Sequence, residues 1–352
     1  MDNRNDWNSL LKANPTDWLL ETNDPGVRYL ALRDIVEASD KDIKTARAKA
    51  HRMGPIAQIL DNMAPTGYWV QPGTVYSPKC RGTVWSIISL AQLGACVEED
   101  KRVVTACTYL LDHAMAKGGQ LSSTGEAPKT FNCLQGNLLT SLLDLGCQDS
   151  RLDVAFEWTA RTVTGDGLPL KVTSDGLTSS DNSSTRLHPL SYITGPLFAC
   201  RSTKHCAWGG VKVMMAFSRL PAARRSNLIE QAIEAGTKYF FSSDPSTANF
   251  PGEMAPVPDK RWWKFHFPVI GFDILQVAEA LTALGYGSDS RLANTLDLIR
   301  QKQNEDGRWL LEENYGYWHK WWVKYGSKGK PNKWVTLRAL RVLKQAVQQK
   351  QK

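Results

Sequence analysis

The chain has 352 residues, of which 42% are hydrophobic and 22% are charged, a composition that can supply a large core. No run approaches the ~20 apolar residues that a membrane span needs, which argues against an integral membrane protein. The net charge is +8, and much of the basic excess lies in residues 320–352. No recognisable nucleic-acid motif accompanies it, so we expect no nucleic-acid partner, and peripheral contact with a membrane stays open.

The cysteines and the N-terminus both bear on the compartment. Seven cysteines, an odd number in so long a chain, do not form the pattern of a disulfide framework. The first 15 residues are polar and contain no apolar secretory segment. These features predict a cytoplasmic protein whose thiols are buried or bind metal.

Six segments carry apolar residues at helical spacing around most of their circumference, which predicts helices that are buried on both sides. They begin near Asp24, Cys80, Cys133, Cys206, Phe267 and Lys333. More polar helical segments lie between them, over residues 41–62, 100–117, 150–163, 223–241 and 290–303, and residues 15–20 supply a sixth. The alternation predicts an all-α fold, an (α/α)6 toroid of inner and outer helices. We expect one domain over residues 1–352, with a basic tail from about residue 345.

One turn carries a distinctive pattern: residues 303–309 read Gln-Asn-Glu-Asp-Gly-Arg-Trp. This pattern resembles the QW motif of triterpene cyclases, and weaker copies occur upstream, one of them ending at Trp69. We expect Trp69 and Trp309 to pack between repeats, away from any substrate.

The chain as a whole, over about residues 15–345, resembles squalene-cyclase-like and prenyltransferase-repeat proteins. The matching segments are Cys133–Asn137, Cys206–Gly209, Trp263–Pro268 and Lys333–Arg338. The resemblance implies a terpenoid-cyclase-like enzyme, an isomerase, lyase or transferase, that binds an apolar or isoprenoid-like, possibly anionic, ligand in the central cavity. A fold hosts many reactions, so the resemblance bears on the fold more than on the activity.

The acidic motifs of terpene cyclases are missing from this chain. Class II cyclases protonate their substrate with D-x-D-D, and neither this motif nor D-D-x-x-D occurs. Asp273, in the apolar segment after Phe267, is the candidate acid, because burial can keep a carboxyl protonated. The alternative for Asp273 is an ion pair with Arg338 or Arg28. His266 and His205 complete the candidate catalytic set.

The starts of the inner helices are expected to surround one mouth of the cavity. Helix N-termini carry positive partial charge and would favour an anionic group there, although ordinary capping by solvated side chains is the alternative. The candidate ligand-binding residues are Arg81, Asn137, Trp208, Lys212, Trp263, Lys333, Trp334 and Arg338. Two long connections, residues 168–199 and 312–332, are candidate lids.

Cys133, Cys200 and Cys206 form a candidate zinc site, with His205 beside the last of them, because zinc takes Cys and His ligands. A loose likeness to lanthionine synthetase C-like toroids implies a zinc-dependent transferase or cyclase. Buried reduced cysteines are the alternative. Two further functions stay open, a polysaccharide lyase or glycosidase and a non-catalytic ligand-binding toroid. The sequence requires no cofactor.

Overall fold

The computed structural model describes residues 6–126, 129–164, 170–171, 178–179, 205–252, 259–314 and 320–350. These residues are helical and irregular apart from isolated bridges and one short antiparallel pair, β1 (Leu170–Lys171) with β2 (Thr178–Ser179). The predicted all-α class is therefore confirmed. Most of the candidate lid at residues 168–199 lies outside the described residues.

The described residues contain thirteen α-helices. They are α1 Thr16–Leu19, α2 Pro25–Ala31, α3 Asp40–Arg52, α4 Pro55–Leu60, α5 Thr83–Leu93, α6 Lys101–Ala114, α7 Asn132–Asp144, α8 Arg151–Thr164, α9 Ala207–Arg219, α10 Asn227–Phe240, α11 Ile274–Leu281, α12 Ala293–Gln301 and α13 Lys333–Lys350. Helices α2 and α11 continue into π-helical turns, Leu32–Val36 and Thr282–Tyr286. Residues 345–350, expected to form a basic tail, instead continue α13.

Six helices form a closed inner ring, in the order α2, α5, α7, α9, α11 and α13. The ring closes where α2 lies between α5 and α13. A Cβ atom on Gly26 of α2 would lie 3.0 Å from Trp334 of α13 and 3.1 Å from the carbonyl oxygen of Leu93 on α5. The absence of a side chain at Gly26 thus lets the first inner helix fit between its two neighbours.

The remaining long helices lie outside the ring and pack on it, α3 on α2, α6 on α5, α8 on α7, α10 on α9 and α12 on α11. Their sequences are amphipathic. In α10, for example, Ile229 and Ile233 are buried whereas Glu230 and Glu234 are exposed. Inner helices differ, because every residue of α5 except Gln92 is buried. The predicted alternation of inner and outer helices is confirmed.

Two tryptophans fix the turns that lead from an outer to an inner helix. The indole N–H of Trp309 donates to the carbonyl oxygen of Ile299 at 2.7 Å, and that of Trp69 donates to the carbonyl oxygen of Ile59 at 2.8 Å. Both side chains are fully buried. The same indole bond, to the carbonyl ten residues upstream, therefore recurs at two points of the ring, as expected for structural tryptophans.

Gln303 fastens the N-terminal segment to the last of these turns. Its side-chain oxygen accepts from the backbone N–H of Lys12 at 2.7 Å, and its amide nitrogen donates to the carbonyls of Ala13 and Gly307, both at 3.0 Å. Gly307 has φ of 80°, and a Cβ atom there would collide with the carbonyl of Ala13. The turn therefore joins the two ends of the toroid.

The predicted helix start near Phe267 is wrong, because α11 begins seven residues later at Ile274. Pro268 has no N–H to donate and disfavours helical geometry in the residue before it. Asp273 then caps α11, since its carboxylate accepts from the backbone N–H of Gln276 at 2.7 Å. Asp273 is thus an N-cap and does not lie inside the helix.

Residues 265–270, which precede α11, cross the interior of the ring and are called the plug below. The backbone N–H of Val269 donates to the side chain of Gln92 on α5 at 2.7 Å, and its carbonyl accepts from Lys212 of α9 at 2.9 Å. Phe267 stacks on Trp334 of α13, with ring centroids 4.8 Å apart. The plug thus contacts three inner helices at once.

Candidate central-cavity site

The ring encloses a cavity of about 800 Å³, called the central cavity below. Its wall includes the last turns of α5, α7 and α9 and one face of α13 from Arg338 to Gln348, while Phe267 and Val269 of the plug form its floor. The mouth expected at the helix N-termini is therefore wrong for this cavity, because the plug occupies that side. Helix C-termini carry negative partial charge, so the helix ends here do not favour an anion.

Charged pairs dominate the wall of the central cavity. Six cationic side chains and five carboxylates line it, which leaves the lining close to neutral. The N–O distances of the pairs are 2.6 Å for Arg33–Asp34, 2.6 Å for Lys344–Glu37, 3.1 Å for Arg47–Glu98, 3.0 Å for Arg219–Asp144 and 2.7 Å for Arg338–Glu279. The wall thus offers many hydrogen-bonding groups and little net charge.

Arg338 lies at the floor of the cavity with its guanidinium fully engaged. Its terminal nitrogens bind both carboxylate oxygens of Asp273 at 3.0 Å, and one of them also donates to the carbonyl of His266 at 2.8 Å. Its Nε and second terminal nitrogen bind Glu279 at 3.1 and 2.7 Å. The ion pair between Asp273 and Arg338, expected as the alternative to catalysis, is confirmed.

This geometry does not suit Asp273 as a general acid. Burial alone would raise the pKa of its carboxyl, but Arg338 and then His266 hold that pKa well below its usual range. The Nδ1 atom of His266 lies 3.0 Å from the same carboxylate. Asp273 is fully buried, and its two charged partners favour the ionised form, which fits the ion-pair alternative and not the candidate acid.

Lys212 is a buried amine directly behind the floor. Burial lowers the pKa of Lys212 to about 7, and the charge of Asp273 only partly offsets this. The side chain reaches the carbonyl of Val269 and does not line the central cavity. A Cβ atom on Gly136 of α7 would collide with the backbone of Lys212, so α7 and α9 approach closely here.

One buried carboxamide oxygen at the floor lacks a protein partner. Gln276 of α11 is 4% exposed, and its side-chain oxygen has no hydrogen bond to any residue that the structure describes. Asn137 of α7 lines the same cavity, and its side chain likewise makes no hydrogen bond within the described ranges. A buried polar atom without a partner costs about 1–3 kcal/mol, so this floor is suited to a bound polar group.

Several predicted site residues lie elsewhere on the ring. On the N-terminal side, Arg81 stacks on Trp322 at 5.0 Å, and Lys333 binds Glu21 at 2.9 Å. Trp334 is 5% exposed and supports the plug. These residues are not brought together with Asn137 and Arg338 in the central cavity.

Three further candidates lie around the start of α9 and the residues before α11. The ring of Trp208 is 5.2 Å from that of Phe272, and the ring of His205 is 5.7 Å from that of Tyr239. The indole of Trp263 donates to the carbonyl of Ser246 at 2.8 Å. Trp208 and His205 thus pack on aromatic rings, and the Trp208 indole nitrogen and the His205 Nδ1 atom are buried without a hydrogen bond to any described residue.

The candidate zinc site stays a prediction. Cys200 lies outside the described residues. The sulfur of Cys206 accepts a hydrogen bond from the backbone of Gly209 at 3.4 Å, and the Cys133 thiol is partly exposed. Within the part of the chain that the structure describes, no three His, Cys, Asp or Glu side chains are grouped to hold a metal.

The sequence interpretation missed the polar stripe that α13 presents to the cavity. This stripe consists of Arg338, Arg341, Gln345 and Gln348, all of which line the cavity. Their spacing of three and four residues places them on one helix face, and that face continues the buried position of Arg338. Polar residues at this spacing within an apolar inner helix were the sequence signal that could have indicated a polar cavity wall.

Comparisons with known proteins place few limits on function. No protein-family model matches this chain, and no curated protein matches it. Similar solved structures include a variant of the type II terpene cyclase MstE from Scytonema with its substrate geranylgeranyl dihydroxybenzoate, at 12% identity and a TM-score of 0.31, covering 87% of this chain and 97% of that one. An apo MstE variant is also 12% identical, with a TM-score of 0.33 and coverage of 86% and 96%. Likeness at this level carries no argument about the site. None of the described helices has the length and apolarity to cross a membrane.

Proposed function

We propose that this chain is a ligand-binding toroid whose central cavity takes a neutral, hydroxyl-rich small molecule such as a saccharide or polyol. The observation that supports this proposal is the buried side-chain oxygen of Gln276, which has no hydrogen bond to any described residue, together with the half-buried carboxamide of Asn137 in the same cavity lining. A carboxamide both donates and accepts, as a hydroxyl group does. Adjacent hydroxyl groups can therefore satisfy both side chains and reach the charged pairs above them.

The lining also favours this class of ligand over the two expected from the sequence. An isoprenoid chain would take the paired charges of the wall out of water without replacing their hydrogen bonds, which is costly. An anion would meet nearly balanced charges and the negative C-terminal ends of α5, α7 and α9. A neutral molecule with many hydroxyl groups avoids both costs.

The binding role is better supported than catalysis. Each of the five carboxylates that line the cavity forms an ion pair with an Arg or Lys, so each already has a protein partner. In this proposal Asp273 and His266 are positioning residues, because they hold the guanidinium of Arg338 toward Glu279 at the floor.

Calorimetric titration with a panel of neutral mono- and disaccharides and polyols tests the proposal, with farnesol and farnesyl diphosphate as the competing class. We expect at least one hydroxyl-rich compound to bind, and the Asn137→Leu/Gln276→Leu variant to bind it roughly 10- to 30-fold more weakly, since each lost hydrogen bond is worth about 1 kcal/mol.

The matched control is Gln71→Leu/Gln301→Leu, which removes two carboxamides from exposed positions. It is expected to bind like the unchanged protein. Binding of farnesol or farnesyl diphosphate in place of every hydroxyl-rich compound, or equal loss in both double variants, would overturn the proposal.

A further inference from the structure

A second pocket lies on the other side of the plug. It is a groove of about 340 Å³ between the plug residues Phe267 and Pro268, Leu311 and the loop at residues 321–328. This loop precedes α13, whereas the central cavity is lined by one face of that helix from Arg338 to Gln348. Phe267 borders both spaces, and its stacking on Trp334 keeps them apart.

The floor of this groove is aromatic and fixed by packing. Trp321 is 6% exposed and meets Trp85 edge-on, with ring centroids 6.4 Å apart. The ring of Tyr325 lies 5.7 Å from that of Trp321 and 5.4 Å from that of Phe267. Rings held in this way present a preformed apolar surface to a ligand.

The rim of the groove is cationic. Lys324 is exposed and forms no ion pair with any residue that the structure describes. Lys328 lies 3.4 Å from Glu313, which is also 3.9 Å from Lys264. One carboxylate is thus shared between two lysines while Lys324 has none, so the rim carries excess positive charge.

Further cations surround the buried thiol of Cys80, near Tyr325. Burial raises the pKa of Cys80 to about 11, and the charges of Lys79, Lys320 and Arg81 oppose the rise. The ring of Tyr325 is close enough to this thiol for the two groups to interact electrostatically.

We propose that this groove binds an amphiphilic anion, with an aromatic or other apolar body against Phe267, Trp321 and Tyr325 and one sulfonate, carboxylate or phosphate group at Lys324 and Lys328. An apolar molecule without charge would leave the lysines unused, and a small inorganic anion would leave the rings uncovered. This site differs from the central cavity in position and in ligand class.

Fluorescence titration of the full chain with anilinonaphthalene sulfonate tests the proposal, because this probe joins an aromatic body to one anionic group. We expect one equivalent to bind, and phenylnaphthylamine, which lacks the sulfonate, to bind at least 10-fold more weakly. The Lys324→Gln/Lys328→Gln variant is expected to lose at least 10-fold in affinity for the sulfonate and little for phenylnaphthylamine.

The control is Lys330→Gln/Lys350→Gln, which removes the same charge from exposed lysines outside the groove. It is expected to change the affinity less than twofold. The proposal fails if the unchanged protein does not bind the sulfonate, if the neutral probe binds equally well, or if both double variants lose affinity equally. The Asn137→Leu/Gln276→Leu variant should bind the sulfonate normally, and a matching loss there would place the probe in the central cavity.

Discussion

At the residue scale, Arg338 explains how two carboxylates are accommodated inside a helical ring. Asp273 and Glu279 both bind its guanidinium, and Asp273 is fully buried. Removal of one partner from a buried ion pair is costly, because the remaining charge stays in a poorly solvating environment. The cluster is thus expected to act as a unit.

We expect Arg338→Leu to lower the free energy of unfolding by about 3–5 kcal/mol, because Asp273 then lies buried without its cation. Urea denaturation measures the change. Adding Asp273→Asn to the same variant is expected to restore part of the loss. Arg52→Leu, at an exposed position of α3, is the control and should change stability by less than about 0.5 kcal/mol. A cost below about 1 kcal/mol for Arg338→Leu would contradict the buried cluster.

Lys212 is expected to make stability depend on pH in the neutral to alkaline range. Its pKa is about 7 in the folded chain, whereas an unperturbed lysine titrates near ~10.4. Between these values the unfolded chain binds one more proton, so the unfolding free energy rises with pH by up to about 1.4 kcal/mol per unit. This contribution is lost as the pH falls toward 7.

The test compares urea denaturation of the unchanged protein and Lys212→Met at pH 7 and 9. The stability of the unchanged protein relative to the variant is expected to increase by about 2 kcal/mol over this interval. Lys49→Met, at an exposed position of α3, should show no such trend. A difference that is flat with pH would argue against a depressed pKa at Lys212.

At the residue scale, the sequence indicated which polar side chains are important, but it did not indicate which groups those side chains contact. Asp273, Arg338 and Lys212 were singled out because polar groups in apolar helices need partners or a function, and Asn137 because it lies near the start of an inner helix. The depth of each along the ring axis depends on where the plug crosses, which helical spacing does not encode. For that reason Asp273 was taken as the candidate acid, and Gln276 was overlooked.

At the element scale, the turn at residues 303–309 joins the two ends of the ring. Gln303 makes three side-chain hydrogen bonds there, to Lys12, Ala13 and Gly307. The composition of this turn was readable from the sequence, and so was the burial of Trp309. The contact with residues 12 and 13 was not, because it links segments that are about 290 residues apart.

We expect Gln303→Leu to loosen the N-terminal segment more than the rest of the toroid. Hydrogen exchange of the backbone amides at residues 9–13 should accelerate at least 10-fold, since their anchoring bonds are lost. The global free energy of unfolding is expected to fall by about 1–3 kcal/mol. Gln301→Leu, at the exposed end of α12, serves as the control. Equal exchange in both variants would show that Gln303 does not anchor the segment.

The start of α11 shows why one inner helix was placed wrongly. Its apolar run begins at Phe267, and periodicity alone does not separate a buried helix from a buried irregular segment. Pro268 and the N-capping side chain of Asp273 were the local signals for a later start. Because α11 begins late, residues 265–270 form the plug. The plug occupies one side of the ring, so the central cavity opens on the other side.

At the scale of the whole molecule, ion pairs help to close the ring at the mouth of the cavity. Asp34, just beyond α2, lies between Arg33 and Arg341 of α13. Burial would raise the pKa of Asp34, but Arg341 and Arg33 lower it to about 2. A depressed carboxylate pKa stabilises the fold above the unfolded value, and this contribution is lost as the pH falls toward 2.

Acid denaturation is expected to reveal this contact. Between pH 5 and 2 the unchanged protein should lose about 2 kcal/mol more than Asp34→Asn, which cannot titrate at this position. Asp40→Asn, at the exposed start of α3, is the comparison and should behave like the unchanged protein. The same acid response in all three proteins would contradict a stabilising role for the Asp34 pairs.

The most direct test of the account is a crystal structure of the protein with the saccharide or polyol that binds most tightly. We predict electron density in the central cavity, with ligand hydroxyl groups within hydrogen-bonding distance of Asn137 and Gln276 and near the Arg338–Glu279 pair. Density for that ligand only in the groove beside Trp321, or only on the outer surface, would contradict the proposed site.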